Sequence, residues 1–334
     1  MENRFIKEYK QDDISFIQVT NKISFVVTFA SLGAAIFSID FLGRPMTYEP
    51  KNTMDFLRKN VYHGKTIGRV AGRIEGNELT IDGVTYKLSA NEKGNVLHGG
   101  SEGFSSREFA SRTFVDNNFI HVIYSYLSKD EESGFPGDIN LEVHYFVSII
   151  KPELKVEYTC TTNKKCPISL TNHSYFCLGD VNVYDLNLQI NASKLVLMNN
   201  EDLTIVVSSP VPSYLDFRKL KRIGDEINIP EINQGKLKGY DHILLLDKID
   251  INNPQVKLVN SRFELDIFTD LDTVVFYTDN YDAGFEANNS DENIRRGIAL
   301  EPQLNPLNNR ILNPGDAYKH FITYKFVQKE RTTM

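Results

Sequence analysis

Apolar and polar residues alternate along much of this chain. In the segment LKVEYTC, Leu154, Val156, Tyr158 and Cys160 fall on one face, and the intervening residues are polar. This period of two is typical of a half-buried β-strand. Similar strand-like runs recur along the sequence: ISFVVTF, AAIFSIDF, FIHVIYSYL, INLEVHYFVSI, LNLQI, TVVFYT and KHFITYKF.

Turn sequences separate these runs. IDG, EKGN, ESGFPGD, NNP and NPGD supply Gly, Asn and Pro, which favour the backbone angles of tight turns. Long amphipathic helical patterns are missing. The pattern predicts an all-β protein, a large antiparallel sandwich or barrel with few short helices. Because no repeat, low-complexity run or linker divides the chain, we expect residues 1–334 to form a single domain.

Composition and charge narrow the possible partners. The 334 residues are 41% hydrophobic and 24% charged, which is typical of a soluble globular protein. A net charge of −7 disfavours nucleic-acid binding, which needs clustered Lys and Arg. No run approaches the roughly 18 apolar residues of a membrane span. The cysteines at 160, 166 and 177 match no metal or redox spacing, so a cytoplasmic location is expected.

Several short polar segments interrupt the strand pattern and carry candidate chemistry. They contain His, Asp, Glu and Arg in Gly- or Asn-rich surroundings, and a single such segment is more often structural than functional. Together and in order they form an unusual set: GRVAGRIEG at 68–76, NVLHGG at 95–100, TNHSYF at 171–176, GYDH at 239–242 and LEPQ at 300–303.

This ordered set resembles the motifs of the aldose 1-epimerase family, the galactose mutarotases. The resemblance spans nearly the whole chain and implies the large β-supersandwich of that family. It also implies interconversion of the α and β anomers of a free aldose, with galactose the usual substrate and glucose a plausible second. Two positions depart from the family pattern: Gly72 replaces an Asn that precedes the binding arginine, and Val275 replaces a residue that is often polar. We expect these departures to affect sugar preference and affinity.

The resemblance assigns the catalytic roles to Glu301 and His173. Glu301 would remove the proton of the C1 hydroxyl, and His173 would protonate the ring oxygen as the C1–O5 bond breaks. A carboxylate and an imidazolium can exchange protons in this way near neutral pH. Because a neighbouring carboxylate raises the pKa of a histidine, we expect His173 to carry its proton when it is needed.

The resemblance also implies that Arg73, His98 and Asp241 bind the sugar hydroxyls, since these side chains offer donors and acceptors to a polar ligand. Either Tyr175 or Phe104 would present an apolar face to the sugar ring, or both would be core residues. His242 is interpreted as structural.

Other functions remain open at this stage. A sugar-binding protein on the same fold would not need a matched acid and base, and a glycoside hydrolase would ordinarily need two carboxylates. A mutarotase for sugar phosphates would need further cations, for which Arg69 and Lys65 are candidates. His98, His173, Asp241 and Glu301 could ligate a metal. We nevertheless expect no metal and no cofactor, because the reaction needs no Lewis acid. The sequence does not reveal the oligomeric state.

Overall fold

The computed structural model describes residues 4–50, 52–180, 182–199, 205–233, 238–247, 250–282, 284, 294–308 and 310–330. Strands dominate it. In the first half of the chain the strands are β1 (Ile6–Gln11), β2 (Ile14–Thr20), β3 (Phe25–Ala30), β4 (Ala35–Phe41), β5 (Arg44–Pro45), β6 (Thr47–Tyr48), β7 (Thr66–Ile67), β8 (Arg73–Ile74), β9 (Glu78–Ile81), β10 (Val84–Lys87), β11 (Val96–Leu97), β12 (Ala110–Val115), β13 (Phe119–Ser128), β14 (Ile139–Ser148) and β15 (Glu153–Thr162).

The second half of the chain continues in the same way. Its strands are β16 (Cys166–Pro167), β17 (Thr171–Asn172), β18 (Tyr175–Phe176), β19 (Asn187–Ile190), β20 (Ala192–Met198), β21 (Ile205–Pro210), β22 (Lys221–Arg222), β23 (Asp241–Leu246), β24 (Val256–Val259), β25 (Phe263–Thr269), β26 (Thr273–Tyr277), β27 (Ile298–Gln303), β28 (Ile311–Leu312) and β29 (Ala317–Gln328). The helices are single turns: α1 (Thr53–Phe56) and the 3-10 turns Phe104–Ser106, Glu132–Gly134, Ser213–Leu215 and Ile223–Asp225.

Within the described ranges the strands form three larger antiparallel sheets and several two-stranded ones. The largest has the order β12-β13-β14-β15-β29-β25-β24-β19-β22, the second has the order β21-β20-β23-β26-β27-β18-β6, and the third contains β1 to β5 in sequence order. The first two sheets face each other, since Phe176 of β18 packs 5.2 Å from Tyr324 of β29, measured between ring centroids. The predicted all-β sandwich with few short helices is confirmed.

The three sheets share one hydrophobic cluster. Phe25 of β3 packs against Phe326 of β29, with ring centroids 5.6 Å apart. This shared core supports the single-domain organisation, which stays a prediction. Among the described helices none is long and apolar enough to cross a membrane.

The strand β27 has one apolar and one polar face. Ile298 and Leu300 point into the shared core, whereas Glu301 and Gln303 lie on the opposite side and line a pocket. Its neighbour β26 follows the same alternation, and Val275 lies directly opposite Glu301 in the register. The period of two therefore carries the polar residues of β27 to the pocket side of the sheet.

The segment between β17 and β18 holds His173 in place through its backbone. Its N–H donates to the carbonyl of Lys65 at 3.0 Å, and its carbonyl accepts from the N–H of Gly64 at 2.8 Å. The Asn172 side chain donates to the carbonyl of Gly64 at 2.7 Å and accepts from the N–H and hydroxyl of Ser174. These bonds fix the direction in which the imidazole projects.

Arg69 anchors the segment that carries Gly72 and Arg73. Its side chain is 2% exposed. The guanidinium donates to the hydroxyl of Ser128 and to four backbone carbonyls, those of Lys129 at 2.7 Å, Phe135 at 3.5 Å, Pro136 at 2.9 Å and Gly137 at 2.8 Å. Arg69 therefore ties the loop around residues 129–137 to the segment around residue 70.

We expect Arg69→Met to lower the free energy of unfolding by at least about 2 kcal/mol, because charge-assisted hydrogen bonds are lost and buried carbonyls are left unpaired. Urea unfolding measures the change. Arg112→Met is the matched control: its side chain is 60% exposed and pairs with Glu142 on the surface, so a change within about 0.5 kcal/mol is expected. Equal losses in the two variants would contradict this account of Arg69.

Candidate active site

A pocket of about 600 Å³ opens on the polar side of β23, β26 and β27. Loop residues from the first third of the chain complete its lining. All five residues that the sequence analysis proposed line this one pocket: Arg73, His98, His173, Asp241 and Glu301. The fold thus brings together side chains from five separate motifs.

His173 and Glu301 form a buried contact in the pocket. Nε2 of His173 lies 3.4 Å from Oε1 of Glu301, and the two side chains are 5% and 2% exposed. Within the described part of the chain, Nδ1 of His173 and Oε2 of Glu301 have no hydrogen-bond partner. Each residue therefore keeps hydrogen-bonding capacity beyond their mutual contact.

Burial controls the protonation of this pair. Removal from water lowers the pKa of His173 to about 4. Removal from water also raises the pKa of Glu301 to about 8, and the negative charge of Asp241 adds to the increase. The expectation that the neighbouring carboxylate would keep His173 charged is wrong, because desolvation dominates the pKa of the imidazole and lowers it.

These pKa values leave one proton on the pair between about pH 4 and pH 8. Because burial raises the pKa of Glu301 and lowers that of His173, the proton is favoured on Glu301. The charged form of the pair is a Glu301 carboxylate with a His173 imidazolium, and the neutral form is a protonated Glu301 with an uncharged His173. The two forms contain the same number of protons and differ only in which residue holds the shared one. A polar ligand that contacts both side chains can therefore favour the charged arrangement without a proton from solvent.

His98 has a defined tautomer. Its Nδ1 accepts a hydrogen bond from the backbone N–H of Gly72 at 3.3 Å. Burial lowers the pKa of His98 well below its ordinary value, and His173 and Arg73 act in the same direction. The imidazole is therefore neutral with its proton on Nε2, which makes that nitrogen a hydrogen-bond donor.

Arg73 is held by a carboxylate at the edge of the pocket. Its Nε and Nη2 donate to the two carboxylate oxygens of Glu92 at 2.6 and 3.1 Å. Such a two-point contact fixes the plane of the guanidinium. The remaining N–H groups of Arg73 are donors that the ion pair does not use.

Asp241 is the first residue of β23 and faces Tyr277 of β26 in the register. Burial raises its pKa above the ordinary value, and Arg73 partly offsets the increase. His242 follows on the other side of the strand, where its Nδ1 accepts from the backbone N–H of Asp241 at 3.1 Å. The structure thus places Asp241 in the pocket and His242 outside its lining, as the sequence analysis interpreted them.

Aromatic rings lie close to His173. Tyr175 lines the pocket and stacks on His63, with ring centroids 4.0 Å apart. Tyr62 lies over His173 at 5.8 Å with an interplanar angle of 26°. Phe104 is instead 1% exposed inside the hydrophobic core. Of the two aromatic candidates, only Tyr175 therefore lies where it can contact a ligand.

Comparison with known proteins identifies the family. A family model for aldose 1-epimerase matches residues 15–325. The chain is 32% identical over 286 residues to the galactose mutarotase of Bos taurus, covering 81% of this chain and 80% of the relative. The chain belongs to the aldose 1-epimerase family. Within the isomerase class, it is accordingly an enzyme that interconverts the anomers of aldoses.

Further relatives agree with this assignment. The aldose 1-epimerase of Escherichia coli strain K12 is 30% identical over 280 residues, which cover 79% of this chain and 80% of that protein. A crystal structure of galactose 1-epimerase from Lactobacillus acidophilus superimposes with a TM-score of 0.87 at 25% identity, covering 97% and 98% of the two chains. The resemblance in the sequence motifs is confirmed.

The two departures from the family pattern both line the pocket. Gly72 has a φ of +78°, a conformation that glycine adopts without strain and asparagine tolerates better than most residues. A Cβ on Gly72 would lie 3.8 Å from Nε2 of Gln303, so the position also has free space. Val275 presents an apolar side chain directly across from Glu301.

The cations proposed for a phosphate site lie elsewhere. Arg69 holds the loop described above. Lys65 is 1% exposed and donates to the carbonyl of Phe56 at 2.7 Å. Neither residue lines the pocket, so the fold does not bring them to Arg73. The cations of the lining are Arg73, Lys93 and Lys238, and Arg73 is already paired with the two carboxylate oxygens of Glu92.

A metal site was the other alternative for these residues. Among the described side chains, no group of three or more His, Cys, Asp or Glu is placed to hold a metal ion. The expectation that the enzyme needs no cofactor stays a prediction.

The pocket contains residues that the sequence analysis did not select. They include Tyr62, His63, Glu92, Tyr277 and Gln303. Strand periodicity could have found Gln303, which lies two positions from Glu301 on the same strand. Tyr62, His63 and Glu92 come from irregular segments, where no periodic pattern indicates the direction of a side chain.

Proposed function

We propose that this pocket is the active site, with Glu301 as the base and His173 as the acid. The supporting observation is their buried contact of 3.4 Å between Nε2 and Oε1, inside a pocket that the binding motifs also line. Binding alone would not require a matched donor and acceptor of protons at this place.

The reaction follows from these two groups. The Glu301 carboxylate takes the proton from the C1 hydroxyl, and the electron pair of that bond forms the C1=O1 double bond. The C1–O5 bond breaks, and O5 takes a proton from the His173 imidazolium. Rotation about C1–C2 presents the other face of the aldehyde. Closure reverses both proton transfers, so the pair returns to its starting state and no proton is consumed.

The sugar supplies hydrogen-bond partners to His173 and Glu301, whose side chains have buried polar atoms without a partner among the described residues. A hydroxyl at C1 donates to Glu301, and the ring oxygen accepts from His173. Both contacts stabilise the charged arrangement of the pair that the reaction needs. We infer that substrate binding moves the shared proton from Glu301 to His173.

The sugar is positioned by groups of complementary polarity. Arg73 donates with the N–H groups that Glu92 leaves unused, His98 donates from Nε2, and Asp241 accepts. Tyr175 contacts the apolar face of the ring. We propose a free aldohexose as the substrate, galactose first and glucose second, because several relatives are galactose mutarotases and the lining is rich in carboxylates.

We also propose a cytoplasmic location. Cys160, Cys166 and Cys177 are all unpaired and buried, which suits a reducing compartment. No interaction with nucleic acid or membrane is proposed.

Polarimetry of freshly dissolved α-D-galactose and α-D-glucose tests the proposed function. We expect the protein to accelerate the approach to anomeric equilibrium and to leave the final rotation unchanged, since a catalyst lowers one barrier for both directions. The same protein after heat denaturation is the control. Time courses equal to those of buffer with both sugars and their common relatives would exclude the activity.

We expect Glu301→Gln and His173→Asn each to lower kcat by about 10² or more, because each removes one partner of the proton transfer. The double variant should lose less than the product of the two single losses, since the residues act as a unit. Glu142→Gln is the control, because Glu142 is exposed on the outer sheet and should retain full activity. Near-normal kcat in Glu301→Gln would refute its role as the base.

The pair also predicts a bell-shaped dependence of kcat/KM on pH. As the pH falls through about 4, His173 takes a second proton while Glu301 remains protonated, and the base is lost. As the pH rises through about 8, Glu301 loses the only proton of the pair, and the acid is lost. Rates are measured from pH 3.5 to 9 after subtraction of the buffer-catalysed rate. A profile that is still rising between pH 8 and pH 9 would contradict the shared-proton account.

A further inference from the structure

Gln303 shares an uncommon property with the catalytic pair. Its side chain is 1% exposed and lines the pocket. In the part of the chain that the structure describes, neither Oε1 nor Nε2 of Gln303 has a hydrogen-bond partner. His173 and Glu301 are the pocket residues proposed above to act on the substrate, and they too have buried polar atoms without partners. Buried amides are ordinarily paired, so this one requires an explanation.

The missing hydrogen bonds of Gln303 concern its side chain and not its backbone. Its carbonyl accepts from the hydroxyl of Thr273 at 2.7 Å, and the residue pairs with Thr273 in the register of β26 and β27. The main chain is thus satisfied while the side chain is not. The unpaired amide is therefore a property of the pocket side of β27.

The position of Gln303 fits a contact with the bound sugar. Gln303 lies on the same face of β27 as Glu301, about 7 Å further along the strand. It is also next to Gly72, where a Cβ would lie 3.8 Å from its Nε2. Gly72 in turn donates its N–H to His98. The amide therefore lies between the catalytic carboxylate and the group of proposed binding residues.

We propose that the side-chain amide of Gln303 binds a ring hydroxyl of the aldose and helps to determine which sugar is accepted. A hydroxyl both donates and accepts, so it can pair with Oε1 and Nε2 of one amide. The absence of a side chain at Gly72 leaves room for this contact. This inference rests on the proposed function, because it deepens the description of the same site.

The test compares the same substitution at two buried glutamines. Gln303→Leu removes the amide and keeps an apolar side chain of similar size. Gln255→Leu is the matched control: Gln255 is 3% exposed, but it donates to the carbonyls of Asp250 and Asn253 at 2.7 and 2.6 Å and accepts from the N–H of Thr269 at 2.8 Å. Kinetics with galactose and thermal melting are measured on each preparation.

For Gln303→Leu we expect kcat/KM to fall about 2- to 13-fold, mainly through KM, which is the range for one neutral hydrogen bond. Its Tm should be unchanged or higher, because no protein contact is lost. Gln255→Leu should show the reverse, a lower Tm with unaltered kinetics. If Gln303→Leu lowers Tm and leaves kcat and KM unchanged, the amide binds an internal water only and the inference is overturned. Gln303→Met provides the same comparison should the leucine variant fail to fold.

Deoxy sugars distinguish a direct contact from an indirect one. Galactoses that lack a single hydroxyl at C2, C3, C4 or C6 are compared in wild type and Gln303→Leu. For one of them the effect of the substitution should shrink to about 1-fold, because the contacted hydroxyl is already missing. An equal loss with every sugar would overturn the direct contact.

A measurement of galactose binding tests this inference independently of the proposed function. The Kd of galactose is measured calorimetrically for wild type and Gln303→Leu. If the wild-type protein binds galactose without accelerating mutarotation, the proposed function fails, and the ratio of the two Kd values still decides the role of Gln303. A wild-type protein that neither binds nor converts any aldose would overturn both.

Discussion

The register of β27 between β18 and β26 is the constraint on which the site depends. Because side chains alternate across a strand, a shift of one residue would turn Glu301 into the hydrophobic core and bring Leu300 to the pocket. Val275 opposite Glu301 and Ala299 opposite Tyr175 define this register. Burial of the apolar face of β27 in the core therefore also fixes the position of the proposed base.

Burial also determines the protonation of His173 and Glu301, the proposed acid and base. A carboxylate and an imidazolium removed from water both favour their neutral forms, which is the opposite of what ring opening requires. The pair nevertheless holds one proton over a broad range of pH. In the proposed reaction, a substrate that offers a donor to Glu301 and an acceptor to His173 moves that proton, so the charged form of the pair arises only with the sugar bound.

The binding side of the pocket is built differently. Arg73, Gly72 and His98 come from loops and two-stranded ribbons, and they are held by side-chain and backbone hydrogen bonds. Glu92 accepts a hydrogen bond from Arg73, and the N–H of Gly72 donates to Nδ1 of His98. Arg69, at the start of the same segment, donates to the backbone carbonyl of Pro136. Polar contacts of this kind require particular geometry, so small changes at Gly72 or Glu92 would alter affinity more readily than the reaction itself.

The sequence by itself determined the strand content, the absence of long helices and the family. Alternation of apolar and polar residues is a local property of strands, and the five motifs are short and ordered, so both can be recognised without coordinates. The motifs also indicated Arg73, His98, His173, Asp241 and Glu301, and the structure brings all five to one pocket. Their proposed roles come from the resemblance.

Only the tertiary structure decided the protonation of the pair, the partners of Arg69 and Lys65, and the surroundings of Gln303. Glu301 and His173 are far apart in the sequence, and the sequence does not show how deeply either side chain is buried. The expectation of a charged His173 was wrong because desolvation depends on every group packed around the imidazole. Cations such as Lys65 and Arg69 have the right charge for a ligand, but long-range contacts direct them into the protein. These properties depend on distances between residues far apart in the chain, which only the folded structure brings together.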